Sequence, residues 1–294
     1  MTEDQRSFSL FFSVPELAFI TQALGLERLI GVEDPLMGAS AEQLQVYAEQ
    51  ASDTLRERGF LESLENGRMA LDGAIATLVT PIGMESTPVL IASRAIEEGH
   101  LTMRLVHLHP ELIVEQEAVE DDQIVLTGVR DAQVLSERLL GFFDLPDREA
   151  APGEAVSLSA EELAEAQRLA ARTEVCSEFL SGSGIPKDAA DNLASALAQQ
   201  QGMGSVSLSV PDDQSELHVR QSVAWLIGPD GAWRILAPPD DAGTTVQLLP
   251  VSTETLKSAI TELVVHADDL RDEKVVRSSM SPNNLPEQAK RLNT

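Results

Sequence analysis

The sequence predicts an α+β fold built from a duplicated, pseudo-twofold unit: helix, helix, four-strand antiparallel meander, helix. The meanders are expected to form antiparallel sheet or sheets with helices packed on one side. Three observations lead there. First, Ser40-Ala41-Glu42-Gln43-Leu44 recurs as Ser159-Ala160-Glu161-Glu162-Leu163, 119 positions later. At the same shift Phe60-Leu61 meets Phe179-Leu180, and Gly83-Met84 meets Gly202-Met203. Further on the shift is 122, where Ile124, Leu126 and Val129 fall on Val246, Leu248 and Val251. A repeat this long is a duplicated subdomain, since solenoid units run to about 20–50 residues. Second, each half places helix-period segments ahead of strand-like ones. Third, the strand-like segments are joined by turns too short for parallel crossovers, which forces antiparallel pairing.

The elements follow in order. Phe8, Leu10 and Phe12 alternate, as in a short edge strand. Ser13-Val14-Pro15-Glu16 opens a helix with a capping box and an early proline, and Gly25 stops it. Ser40 opens a second helix whose Leu44, Tyr47, Ala48, Ala51 and Leu55 keep the helical period as far as Gly59. A shorter helix spans about 72–78. Strands are predicted near 86–94, 100–108, 111–118 and 122–128, with turns at Glu97-Glu98-Gly99 and Glu120-Asp121-Asp122. Asp131 caps a helix bearing Leu135, Leu139, Phe142 and Phe143.

Residues 147–158 read as a linker rich in Pro, Gly, Ala and Glu. After it come helices from Ser159 and over about 187–200, then strands near 204–210, 215–227, 231–237 and 244–249. Leu217, Val219, Val223, Trp225 and Ile227 are expected to share the buried face of their strand, with His218 and Arg220 on the wet one. Ser252 and Thr253 cap the last core helix. The predicted organisation is therefore an N-terminal strand and helix (1–39), a first lobe (40–146), the linker (147–158), a second lobe (159–267) and a flexible polar tail (268–294). Pro282 and Pro286 argue against a long helix in that tail.

Composition narrows function. The chain has 294 residues, 43% of them hydrophobic, enough for a substantial core. Its net charge is -27, from 21 basic and 48 acidic residues, which disfavours binding to a phosphate backbone. No apolar run approaches the ~20 residues that span a bilayer. Met1-Thr2-Glu3-Asp4 lacks the basic start of a signal peptide, so a cytosolic protein is expected. The single Cys176 excludes an intramolecular disulfide framework.

No catalytic constellation stands out, and neither a cofactor nor a metal is expected. Cys176 sits among apolar neighbours, as a small core hydrophobe does. Ser181-Gly182-Ser183-Gly184 lacks the Lys-Ser/Thr ending of a phosphate loop. His107 and His109 could share a strand face as half a metal site, but no third ligand has the spacing. Asp121-Asp122, Asp212-Asp213 and Asp240-Asp241 fall at turns, where Asp bonds nearby amides. Amphipathic helices over 40–58, 159–173 and 187–201 are surfaces suited to gripping another helix.

Three segments resemble the EspG family of type VII (ESX) secretion chaperones. Leu55-Arg56-Glu57-Arg58-Gly59-Phe60-Leu61, followed by Leu71-Asp72, is similar to that family's L-x-x-R-G-L-L…L-D segment. The run from Asp122 through Val129 into the helix ending at Phe143 resembles its central strand and helix unit. Gln201-Gly202, Arg220 and Val223-Ala224-Trp225-Leu226 resemble its G-Q…V-A-W region, with Gln and Gly in reversed order. The resemblance spans roughly 55–267. It implies a non-enzymatic cytosolic protein that binds the tip of a helical-hairpin substrate, of PE/PPE or WXG100 type, and keeps it soluble before export. The family also grips with a loop between early strands. The short Leu108-His109-Pro110 connection departs from that, so Phe179, Leu180, Ile185, Leu193 and Leu197 are the expected partner-binding residues. Two alternatives remain at this point: an enzyme or ligand-binding protein whose inter-lobe cleft holds His107 or His109 with acidic side chains, and an oligomeric module joined through sheet edges.

Overall fold

The structure, a computed structural model, describes residues 7–32, 40–64, 69–83, 87–95, 100–119, 123–212, 216–236 and 245–279. The first half runs β1 (Ser7–Ser13), α1 (Val14–Leu24), α2 (Ala41–Glu57), β2 (Leu61–Ser63), β3 (Met69–Leu71), α3 (Gly73–Gly83), β4 (Val89–Ala95), β5 (Leu101–Leu108), β6 (Ile113–Val119), β7 (Gln123–Val129) and α4 (Ala132–Phe143). The second runs β8 (Val156–Ser159), α5 (Ala160–Leu169), α6 (Thr173–Gly182), α7 (Lys187–Ala198), β9 (Gly202–Pro211), β10 (Leu217–Gly228), β11 (Gly231–Leu236), β12 (Thr245–Val251) and α8 (Thr253–Ser279).

Local chemistry sets the helix starts. At Ser13, Ser40 and Ser159 the serine hydroxyl accepts from the amide three residues on, and the Glu or Gln there accepts from the serine's own amide. These reciprocal bonds satisfy two otherwise orphaned donors at each N-terminus. Asp131 caps α4 through the Val134 amide at 2.9 Å.

Ten strands form one antiparallel sheet in the order β1-β7-β6-β5-β4-β9-β10-β11-β12-β8. The halves meet where β4 pairs with β9, centred on Ala92 opposite Val206. Each half therefore contributes one outer strand, three helices, a four-strand meander and a covering helix. In this topology Ser13, which follows the outer strand β1, occupies the place that Ser159 holds after β8. The sequence match had paired Ser159 with Ser40 instead.

Helices cover both faces of the sheet, not one. α4 and α8 lie on the face of Leu90, Val106, Val206, Val223, Trp225 and Ile227. α1 and α3 cover the opposite face of the first half, over Val114, Ile124 and Leu126. α5, α6 and α7 cover that same opposite face of the second half, over Leu226, Trp233 and Leu248. The reason is visible in Trp225-Leu226-Ile227: all three are buried, so both pleats of β10 need a partner there.

Other differences are local. A short strand, β8, closes the linker onto β12, and Ala150 bridges Ala232. Leu217 and Val219 are exposed and sit on the face opposite Val223, because the pairing shifts between Val219 and Gln221. α8 continues to Ser279, twelve residues into the predicted tail (268–279). Met84, the predicted turns at Glu97-Glu98-Gly99, Asp121-Asp122 and Asp240-Asp241, Asp213, and the tail from Met280 onward lie outside the described residues.

Candidate functional site

Between the two helix groups, the middle of the sheet carries no helix on the α1 and α5 side, among the described residues. Its floor is made by β4 and β9, where Ile91 lies opposite Ser207 and Ser93 opposite Ser205. The two hydroxyls of Ser93 and Ser205 bond each other at 3.0 Å, which leaves the floor small and internally satisfied. β5 borders it on one side with Leu101 (67% exposed) and Met103 (53%), and β10 on the other with Leu217 (37%) and Val219 (51%). Leu101 and Met103 form an exposed apolar pair beside the half-exposed Ile91, Ser93 and Ser205, of the kind that marks an interaction surface. Leu217 and Val219 lie farther along the strands, next to Val89 and Ser209, which are buried, so they stand apart from that pair.

The first-half wall is held by a close approach. After α1 the chain crosses β5 at Gly31, whose φ is 72°. That left-handed backbone favours glycine, and a Cβ there would also push against the Leu105 and Gln116 side chains. Behind this crossing His107 is fully buried, its Nε2 3.0 Å from the Gln116 side chain. Burial lowers the His107 pKa from 6.5 to about 4, against the smaller raising effect of the Gln116 hydrogen bond. Above pH 6.5 both folded and unfolded chains are neutral at this site. As pH falls from 6.5 to 4, the unfolded chain takes up a proton that the folded one refuses, so stability is lost in that window. A gap of this size corresponds to about 3 kcal/mol by linkage. The difference in unfolding free energy between the parent and His107→Gln should therefore change by roughly that amount from pH 7 to pH 4, as urea titrations would read. A flat difference would place His107 in a wetter setting than this one.

The five expected partner-binding residues belong to the second helix group. Leu180 and Leu193 are fully buried and Ile185 nearly so; they form the bundle's core and cannot present themselves to a partner. Phe179 and Leu197 are half-buried and pack against that core from outside. A helical apolar stripe reads the same whether it faces a core or a partner, which is why sequence placed all five together. α6 and α7 are further clamped by Asp191, which accepts from Ser177 and, at 2.5 Å, from Lys187. Both bonds lower the Asp191 pKa, with Lys187 the larger cause.

The remaining candidates are separated. His109 lies beyond β5, where its Nδ1 accepts from the Glu111 amide at 3.2 Å, and burial lowers its pKa. It does not join His107 at a common site. Cys176 is fully buried, donates to the Ala166 carbonyl at 3.3 Å, and has its pKa raised by burial, all of which disfavour the thiolate. Asp212, Glu216 and His218 bring ligand atoms within 4.8 Å of one another at the exposed β9–β10 turn. There the Asp212 carboxylate accepts from the Glu216 amide and pairs with His218 at 2.9 Å, bonds that account for the cluster. A groove of about 380 Å³ between α1 and α2, lined by Phe19, Leu26, Leu29 and Tyr47, lies within the first half rather than between the halves.

The EspG family model matches residues 13–262 of the chain. No curated protein matches it. Among solved structures, the Mycobacterium tuberculosis type VII secretion system chaperone EspG5, in complex with a PE25–PPE41 dimer, is similar with a TM-score of 0.59 at 12% identity. That match covers 88% of this chain and 96% of the other. At such identity it is the fold that is shared.

Proposed function

This chain belongs to the EspG family, and we propose that it is a cytosolic type VII secretion chaperone, a binder rather than an enzyme. In this reading it grips the tip of a helical PE–PPE-type substrate and keeps that tip out of water until export. The observation that carries the reading is the exposed apolar pair Leu101 and Met103 on β5, beside the half-exposed Ile91, Ser93 and Ser205. Covering such side chains with an apolar helical tip is favourable by about 25 cal/mol per Å² removed from water. The α5–α7 bundle beside the strip contributes Phe179 and Leu197 to the same grip. A further fact supports the reading: EspG5, of the same fold, was solved in complex with a PE25–PPE41 dimer.

The test is co-expression with each PE–PPE pair encoded in the chain's host, followed by calorimetry on any complex that survives gel filtration. One pair should bind, and Met103→Glu should weaken it at least about thirtyfold, the equivalent of about 2 kcal/mol for a central contact. Binding by no pair, or undiminished binding by Met103→Glu, would contradict the proposal.

A further inference from the structure

β1 is an end strand of the sheet and pairs with β7 alone. Its outer rim is therefore a row of backbone hydrogen-bonding groups without a neighbouring strand. The strand itself carries none of the usual protections. Its sequence, Ser7-Phe8-Ser9-Leu10-Phe11-Phe12-Ser13, has no charge, no proline and no glycine, and its register with β7 is unbroken from Ser7 to Ser13. An uncharged, aromatic-rich strand on an open edge has the composition that pairs with another chain. Phe8 and Phe11 add exposed rings, one on each face. The opposite end of the sheet is blunt by comparison, because β8 is only four residues long.

Protection comes instead from outside the strand. Arg58, the residue that ends α2, donates its Nη2 to the Phe11 carbonyl at 2.6 Å and its Nη1 to the Glu16 carboxylate at 2.7 Å. The other Glu16 oxygen accepts from the Ser13 amide at 2.8 Å. Phe11 and Ser13 are two apart in the strand, so both turn their backbone groups away from β7 and onto the rim. The guanidinium is held in place by the Phe60 ring at 4.5 Å, the Phe12 ring at 5.5 Å and Glu16, which is 4% exposed. We propose that Arg58 closes this edge: it occupies the rim so that β1 cannot pair with β1 of a second copy of the chain. A second copy fits the rim because the strand can pair with itself about Ser9. An antiparallel pairing centred there sets Ser7 opposite Phe11 at both ends, and each of these pairs needs the Phe11 carbonyl that Arg58 holds. The inference gives a physical task to the arginine of the Leu55–Leu61 segment and stands independently of the chaperone reading.

Sedimentation velocity on the full chain, over a dilution series, tests this. The parent should sediment as one chain throughout. Arg58→Met combined with Glu16→Gln clears the rim without leaving a buried carboxylate unpaired. Glutamine at that place keeps the bond to the Ser13 amide, as Gln43 does for Ser40. This double variant should convert from one chain to two between about 1 µM and about 100 µM, the behaviour of a dimer with a Kd near ~10 µM. Adding Ser9→Pro removes an amide at the centre of the rim and should restore the parent's behaviour at every concentration. Circular dichroism separates pairing from misfolding. If the double variant does not fold, Arg58→Lys takes its place: one ammonium nitrogen cannot stand at both guanidinium positions, so this variant should dimerise too. A cleared rim that stays monomeric, or a dimer indifferent to Ser9→Pro, would overturn the assignment, as would a parent whose own dimer Ser9→Pro dissolves.

Discussion

Replacing Arg138 with methionine is expected to cost the fold about 3–5 kcal/mol, the range seen when one member of a buried ion pair is removed. Glu115, on β6, is 2% exposed on the side covered by α4 and α8. Arg138, from α4, donates its Nε to the Glu115 carboxylate at 2.5 Å. Arg104 stands second, at 3.8 Å, and its other nitrogen already donates to Glu117 at 2.6 Å while its guanidinium stacks 4.6 Å from the Phe142 ring. Burial raises the Glu115 pKa, and the two arginines oppose it. Without Arg138 the carboxylate would keep the desolvation and lose its best partner. A carboxyl with a raised folded-state pKa holds its proton more tightly when folded, so the deficit of the variant should shrink as pH falls. Urea unfolding at pH 7 and pH 5 would show both effects, and adding Glu115→Gln should recover most of the loss. A change under about 1 kcal/mol at pH 7 would mean that Arg138 contributes only as a solvated surface charge.

Sequence and structure agree where the determinants are local. The capping boxes at Ser13, Ser40 and Ser159 need only residues three apart, and all three start helices. The two meanders follow from short turns between alternating segments, and the family likeness of the Leu55–Leu61 and Val223–Leu226 segments pointed to the right fold. Which face each residue takes was not legible in the same way, because it depends on what lies above the sheet. Trp225, Leu226 and Ile227 read as one buried side and its neighbour, yet helices from different groups cover both. The shift in pairing between Val219 and Gln221 has no compositional signature, so strict alternation puts Leu217 and Val219 on the core side. Met103 and Leu101 carry no sequence signal of exposure, since an apolar residue at a strand position is core by default and only the gap between helix groups exposes it. His107 could be singled out as a histidine on a strand, but its burial depends on the crossing at Gly31, 76 positions earlier in the chain.

Trp225→Ala should destabilise the protein by about 3–5 kcal/mol, the usual cost of emptying a large aromatic site in a core that cannot close over it. Trp225 is 1% exposed and belongs to β10 in the second half. Its ring meets Phe143 of α4, from the first half, edge to face with centroids 4.6 Å apart and planes at 85°. On its other side it lies across Gly204, the neighbour of Arg94 at the junction of the halves. A Cβ on Gly204 would stand 2.6 Å from Trp225 Cζ2 and 2.7 Å from the Ser93 carbonyl oxygen, so glycine is required for the indole to lie flat on the sheet. The void left by alanine is framed by paired β-strands and by α4, neither of which can shift without breaking ladder bonds or the rest of the core. Gly204→Ala should independently cost about 1–3 kcal/mol by overpacking. In the Trp225→Ala background part of that cost should vanish, because one of the two obstructing atoms is gone. A coupling of at least about 0.5 kcal/mol in the double-mutant cycle, measured by far-ultraviolet circular dichroism in urea, is the expected result. Additive effects would place the clash on the Ser93 carbonyl alone, and a Trp225→Ala cost below about 1 kcal/mol would show that the two halves are not held together through this ring.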